Sequence, residues 1–262
     1  MPRKPAHLTP DHAARFQHPS VVERYPLRAP YPDELIAVLA GLIQDEPRVV
    51  LDVGTGTGDL ARPLAARDGI ARVDAVDPSA AMLALAQRRP GGDSPRVRWI
   101  GGTAEDAPLE PPYALVTASE SLHWMGWERV LPRFRAVGTP NSVVAIVHRL
   151  DGDEPWKDDL LAIIQKYSTM YNYEGFDLIA ELEARGLFET LGRHETARRP
   201  FTQPVADYIA SFHSRSSLSL AALTAEAATG FDADLGALLA ERCPDGVVRW
   251  EVAAGVVWGR AK

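Results

Sequence analysis

The apolar positions of this chain fall into short continuous runs separated by stretches of helical spacing. Val49-Val50-Leu51-Asp52-Val53 is a strand-length buried run, and a glycine-dense turn with Gly54, Gly56 and Gly58 follows it before helix-compatible sequence resumes at Leu60. The same alternation repeats downstream. Residues 71–77 read as a second strand and 78–86 as the helix after it; Val97-Arg98-Trp99-Ile100 reads as a third strand, 114–118 as a fourth and 143–147 as a fifth. Strands alternating with helices imply right-handed crossovers and a mostly parallel α/β sheet. Before about residue 33 the prolines of Arg24-Tyr25-Pro26-Leu27-Arg28-Ala29-Pro30-Tyr31-Pro32 break the chain into short helical pieces, and a longer helix starts near Asp33. After about residue 151 the pattern is richer in helix. Trp156 to Tyr167 has amphipathic spacing, Asp177 to Arg185 is a helix stopped by Gly186, and 204–216 reads as a helix leading into a polar turn. Residues 247–258 suit a terminal strand or hairpin arm.

The glycine turn carries the first chemical signal. Glycine reaches backbone angles closed to other residues and lets main chain approach a ligand, and the following helix directs free N–H groups back toward it. A dinucleotide fingerprint would place its third glycine at 59, where this chain has Asp59. A phosphate-cradling loop needs G-K-[ST] at its end, and no lysine is present. With Asp52 ahead of the turn, the loop is acidic and suits a cation. The alternative, a turn that binds nothing, spends three glycines without return.

Asp52-Val53-Gly54-Thr55-Gly56-Thr57-Gly58 resembles the first motif of class I S-adenosylmethionine-dependent methyltransferases. The resemblance implies a Rossmann-like, seven-stranded, mostly parallel sheet with an antiparallel terminal strand, an N-terminal cover and a helical C-terminal insertion. It implies S-adenosylmethionine as cofactor, with Gly54, Thr55, Gly56 and Gly58 lying against its methionine part and Asp52 helping to hold the amino group. Asp77 ends the second strand about twenty residues past the glycine turn, where a carboxylate can accept both ribose hydroxyls. Its bland reading is a helix cap with Pro78 at the first helical position. Pro78 and Met82 join it on the cofactor side. Gly101 to Leu109 is similar to the family's adenine-side loop and assigns Ala104 and Glu105 there, although Thr103 stands where that pattern has an acidic or amide residue.

The fourth strand runs into Ser119-Glu120-Ser121-Leu122-His123-Trp124-Met125, at the end of the sheet where open α/β folds keep their chemistry. The A-x-x-L-H-W-like run resembles the small-molecule branch that includes trans-aconitate methyltransferase and the type 11 enzymes. Ser119 is placed with the cofactor, and His123 and Glu120 are the catalytic candidates; His123 reads equally well as a packing residue. Tyr25, Arg28, Tyr31, Trp124, His213 and Arg215 are the substrate-side candidates. A cover whose aromatics protect the core, and an exposed helix end whose cations offset the dipole, are the competing readings for these.

The implied reaction is direct in-line methyl transfer to a nitrogen or oxygen atom of a small molecule. An amine arrives deprotonated, a hydroxyl gains from a base such as His123 or Glu120, and a carboxylate needs none but favours Arg28 or Arg215. A cofactor-binding protein without catalysis and a nucleotide-dependent oxidoreductase are the alternatives from other classes. Lys+Arg 28 against Asp+Glu 35 gives a net charge of −7, which argues against a nucleic-acid partner, as does the lack of an N-P-P-Y-like run at Ser119-Glu120-Ser121-Leu122. One cysteine, Cys243, excludes a disulfide framework or a cysteine-built metal site within the chain, so no metal is expected. No apolar run has the length of a membrane span and the first residues lack a signal-peptide core, so the expectation is a cytoplasmic protein with no membrane partner, with a homo-oligomer allowed. The expected segments are a cover over 1–33, a cofactor-binding core over 34–150, and the remaining sheet with a substrate-covering insertion over 151–262.

Overall fold

A computed structural model describes residues 4–5, 8–150, 154–170 and 176–262. The first residues of the predicted cover and residues 151–153 of the predicted insertion lie outside the described residues. In chain order the elements are α1 (Pro10–Ala14), α2 (Pro19–Arg24), α3 (Asp33–Gly41), β1 (Val49–Val53), α4 (Ala61–Ala65), β2 (Arg72–Asp77), α5 (Ala80–Arg88), β3 (Val97–Gly101), β4 (Tyr113–Ser119), α6 (Trp127–Val137) and β5 (Gly138–Leu150). There follow α7 (Lys157–Tyr167), α8 (Leu178–Ala184), β6 (Phe188–Glu195), β7 (Arg199–Pro204), α9 (Val205–Phe212), α10 (Ala225–Arg242) and β8 (Val247–Ala261).

The chain forms two compact units that interleave in sequence. One comprises residues 31–150, 176–197 and 253–262; the other comprises the described residues within 1–30, 151–175 and 198–252. The first unit is a sheet in the order β3-β2-β1-β4-β5-β8-β6. Its pairs from β3 to β5 are parallel, while β8 runs antiparallel to both β5 and β6. The terminal strand is therefore antiparallel as expected but lies one place in from the edge, which β6 occupies. β1 shows why a central parallel strand reads as an unbroken apolar run: Val49, Leu51 and Val53 belong to the apolar cluster holding Trp127, Val130 and Phe134, whereas Val50 belongs to the cluster holding Leu35, Leu39 and Leu64. Both faces of the strand are covered, by α6 and α8 on one side and by α3 and α4 on the other.

The second unit has its own core. Trp156 and Leu160 of α7, Tyr208 and Phe212 of α9, and Phe231, Leu235 and Leu239 of α10 pack with Leu218 and Val248. β7 pairs antiparallel with residues 247–252 of β8. Local signals set the helix ends here as elsewhere. Thr224 accepts from the Ala227 amide to cap α10, and Asp177 accepts from the Ala180 amide to cap α8, which stops before Gly186 at φ 66°.

Candidate active site

β1 ends at Val53 and the chain turns through Gly54, Gly56 and Gly58 at φ 66°, 55° and 73°, the left-handed region that favours glycine. The Thr55 amide donates to the Val76 carbonyl of β2 at 3.0 Å, so the turn is stitched to the neighbouring strand. Two of these glycines have a protein-internal reason as well. A Cβ on Gly54 would stand 2.4 Å from Ser121 Cβ, and one on Gly58 would stand 2.5 Å from Trp99 Cη2. The helix expected to point back at the turn begins only at Ala61 and has five residues, so hydrogen-bonded turns and not helix cover Thr55 to Leu60. Arg62 of that helix reaches back instead, donating to the Thr57 carbonyl at 3.1 Å and to Asp59 at 2.8 Å.

Asp52, 2 % exposed, accepts the Thr55 hydroxyl at 2.5 Å and the Thr117 hydroxyl of β4 at 2.7 Å. Burial pushes its carboxyl up to about 6; the two hydroxyls oppose this, and the nearby charges of Asp77 and Asp59 add to it. Asp77 is buried at the end of β2, and each of its oxygens accepts one amide, from Gly56 and from Ser79, both at 2.8 Å. Burial raises its pKa too. The bland reading of Asp77 as helix cap needs correction: Ser79 is the N-cap of α5, its hydroxyl accepting from the Met82 amide, and Pro78 precedes it. An ionised carboxylate offers about four acceptor sites. Asp77 uses two on amides, which leaves acceptor capacity for the two hydroxyls of a ribose. Two buried acids beside a turn of positive-φ glycines form an acidic site suited to a cation, and the residues present could hold S-adenosylmethionine, with Asp77 toward a ribose and Asp52 and the turn toward an amino-acid end.

The loop after β3 is held from below. Arg133 of α6 donates to the carbonyls of Ala104 and Ala107, and Thr103 bonds Asp106 at 3.4 Å. Ala104 is buried, and Glu105 Oε1 accepts the Gly126 amide at 2.8 Å. Glu105 thus spends an oxygen on fixing the segment after β4.

That segment carries most of the remaining candidates. Ser119, at the end of β4, bonds the Tyr31 hydroxyl at 2.5 Å. Glu120 sits at φ 49°, the one non-glycine with positive φ among the described residues. Its carboxylate accepts the Arg149 amide at 2.6 Å. Ser121 donates to the Val53 carbonyl at 2.8 Å, and residues 122–124 form a 3-10 turn in which the His123 and Trp124 rings lie 4.7 Å apart. The Arg149 guanidinium lies over the Tyr31 ring, 4.0 Å from its centre, and 4.0 Å from Asp59. The structure therefore gathers Tyr31, Ser119, Glu120, Arg149 and Asp59 into one group at the strand ends.

The other substrate-side candidates belong to the second unit. Arg28 donates to the Ser214 hydroxyl and carbonyl, each at 2.7 Å, with its guanidinium 4.3 Å from the Tyr25 ring centre. His213 is 3 % exposed, not an exposed helix end: its ring nitrogens bond the Leu218 carbonyl and Asp232, both at 2.8 Å. Arg215 is exposed, its guanidinium 4.4 Å from the Phe212 ring centre. Among the described residues no cluster of His, Cys, Asp and Glu could hold a metal, and no helix is long and apolar enough to cross a membrane.

Sequence reasoning missed Thr117, Ser121 and Arg149. Thr117 is a polar residue inside an otherwise apolar strand, in register with Asp52 on β1, and that interruption was the readable signal. Ser121 and Arg149 had none.

Comparison with known proteins agrees with this geometry. Residues 50–141 match the family model described as a methyltransferase domain. The chain is 36% identical over 86 residues to a malonyl-[acyl-carrier protein] O-methyltransferase of Halalkalibacterium halodurans, a match spanning 31% of each chain. It is 28% identical over 197 residues to a trans-aconitate 2-methyltransferase of Variovorax paradoxus, covering 69% of this chain and 74% of that one. Among solved structures, a protein of Anaeromyxobacter dehalogenans assigned as a type II methyltransferase superposes with a TM-score of 0.67 at 22% identity, covering 88% of this chain and 96% of that one. A phosphoethanolamine N-methyltransferase 2 of Haemonchus contortus, in complex with phosphomonomethylethanolamine and S-adenosylhomocysteine, shares the fold at a TM-score of 0.54 and 17% identity, covering 96% of this chain and 59% of that one. The sheet order, the glycine turn and these matches together support a class I S-adenosylmethionine-dependent methyltransferase, with the methyltransferase domain itself matched over residues 50–141.

Proposed function

We propose that this chain methylates an oxygen or nitrogen atom of a small molecule, and that a carboxylate oxygen is the acceptor atom. The observation that carries the methyl-transfer reading is the buried pair Asp52 and Asp77 on either side of the glycine turn. The carboxylate draws support from the relatives named for malonyl-[acyl-carrier protein] and trans-aconitate, both of which are acids. When bound, S-adenosylmethionine supplies a methyl group already activated on a sulfonium sulfur. The chain's own work is alignment and exclusion of water. Asp77 orients through its acceptor capacity, the turn fixes the methionine end, and Ser121 packs against Gly54 to hold the end of β4 over it. A carboxylate acceptor loses no proton, so no base is required. A hydroxyl acceptor would call on His123, which lies half-buried beside Trp124. The acidic charge balance supports a reading without a nucleic-acid partner, and the lone Cys243, which is free and buried, suits a reducing cytoplasm. Acceptor choice is assigned to residues outside the 50–141 match, in the segments before 33 and after 151.

The test is calorimetric titration with S-adenosylmethionine and S-adenosylhomocysteine, followed by mass spectrometry of small di- and tricarboxylic acids, alcohols and amines incubated with enzyme and cofactor. Binding with methyl ester formation on an acid supports the proposal. Ether or N-methyl products move the acceptor atom, binding without any turnover favours a non-catalytic cofactor-binding protein, and no binding overturns the reading.

A further inference from the structure

Glu120 invites the role of general base, because it is a carboxylate at the end of β4 where the chemistry is expected. Its geometry assigns it other work. The Glu120 amide donates to the Val147 carbonyl of β5 at 3.0 Å, which closes the last parallel pair of the ladder, Ser119–Val147. The next donor in that register is the Arg149 amide, and its partner in a regular parallel ladder would be the Glu120 carbonyl. The backbone leaves the ladder at this residue, turning to φ 49°, and Oε1 of the same residue takes the Arg149 amide at 2.6 Å. The turn sends the chain back across β1, where the Ser121 hydroxyl donates to the Val53 carbonyl at 2.8 Å and the Ser121 side chain fills the space a Gly54 Cβ would need. Beyond it, Leu122 is 1 % exposed and its carbonyl accepts the Trp127 indole N–H at 2.9 Å. At the far end the Gly126 amide is held by Glu105.

We propose that Glu120 is a positioning residue, a side-chain extension of the β4–β5 ladder that holds residues 121–126, and with them His123 and Trp124, in place over the glycine turn. The proposal rests on the methyltransferase reading for its consequence but not for its geometry. A non-glycine residue held at positive φ is strained and persists where surrounding structure over-determines it. Here three anchors do so: the Val147 carbonyl, the Arg149 amide and the Ser121–Val53 bond. The Arg149 amide ties Oε1 of Glu120 to the main chain of β5, which assigns this side chain to positioning and leaves the base role to His123.

Three substitutions separate acceptor, charge and strain. Glu120→Gln keeps an oxygen for the Arg149 amide and removes the charge. Glu120→Ala removes the acceptor and keeps the strain. Glu120→Gly removes the acceptor and relieves the strain, so it folds even where alanine does not. Amide exchange at Arg149 is the first readout, and S-adenosylhomocysteine affinity by calorimetry is the second. Protection at Arg149 falls by about tenfold or more in the alanine and glycine variants and stays near wild type in the glutamine variant. Affinity weakens by about tenfold in the first two and by less than about threefold in glutamine, the loss expected for one hydrogen bond. Glutamine behaving like alanine in both readouts overturns the proposal, because charge and not the acceptor then matters. Unchanged Arg149 exchange in alanine and glycine overturns it too. Failure of the wild type to bind S-adenosylhomocysteine would sink the methyltransferase reading, while the exchange pattern at Arg149 would still decide this one.

Discussion

The Gly56 amide donates to Asp77 Oδ2 across 2.8 Å, tying the middle of the glycine turn after β1 to the last residue of β2. One carboxylate thereby fixes two strand ends, because its other oxygen takes the Ser79 amide at the start of α5. A group that sets the shape of a ligand site can also contact the ligand, and Asp77 has the acceptor capacity to do both.

Asp77→Ala leaves the Gly56 and Ser79 amides without these acceptors. S-adenosylhomocysteine affinity falls by about 1–3 kcal/mol, the usual cost of an unpaired buried group, and Tm falls with it. Asp77→Asn loses less, since one oxygen remains, but its amide nitrogen faces one of the two donors. Calorimetry and thermal melts of the three proteins check the order wild type, asparagine, alanine.

The buried Asp52 makes stability depend on pH. Its folded pKa, about 6, lies above the unfolded value, so the native state binds the proton more tightly. The stabilisation is fully present below about pH 4 and is lost as pH rises toward 6, by an amount of about 3 kcal/mol at the limit. Asp52→Asn removes this slope. Urea melts of both proteins between pH 4 and pH 8 should show the wild type falling relative to the variant across the acid range and running parallel above it; parallel curves throughout would refute the assignment.

Thr117→Val removes the hydroxyl that Asp52 accepts at 2.7 Å while keeping the shape of the side chain. The lost bond favoured the charged form, so the Asp52 pKa rises further. Destabilisation is therefore larger at pH 8 than at pH 5, on the order of 1–3 kcal/mol at the higher pH. Equal losses at both values would show that Thr117 acts by packing alone.

Gly54→Ala meets Ser121 Cβ at 2.4 Å in a backbone region that alanine disfavours. The substitution costs on the order of 1–3 kcal/mol of stability and weakens S-adenosylhomocysteine binding. Ser121→Gly in the same protein relieves the clash and recovers part of the loss, leaving the dihedral strain. A double-mutant cycle with no coupling between 54 and 121 would mean that the clash is absorbed elsewhere.

How much of this was legible beforehand depended on the range of the interaction. β1, the glycine turn, β2 with Asp77 at its end, and the capped α8 were readable because a buried parallel strand, a left-handed turn and a helix cap are each written in fewer than about ten neighbouring residues. The end of β4 was readable as a place but not as chemistry. Glu120 was readable as a candidate to orient an amine or take a proton, but nothing local shows that its carboxylate meets the amide of Arg149, 29 residues further on. His213 was readable as a substrate-side candidate, with an exposed helix end as the competing reading, and neither showed its partner Asp232, which lies on α10.

The sequence by itself determined the α/β class and the glycine turn with its two acids, and the resemblance that these residues carry implied the cofactor. The class and the turn follow from hydrophobic period and from conformational rules that act within one strand and the turn after it. Only the tertiary structure decided that β8 sits between β5 and β6, that Thr117 serves Asp52, that Ser121 requires Gly54, and that Glu120 is spent on a main-chain amide. Those facts are matters of strand register and side-chain direction, set by packing between residues far apart in the chain, for which periodicity carries no information.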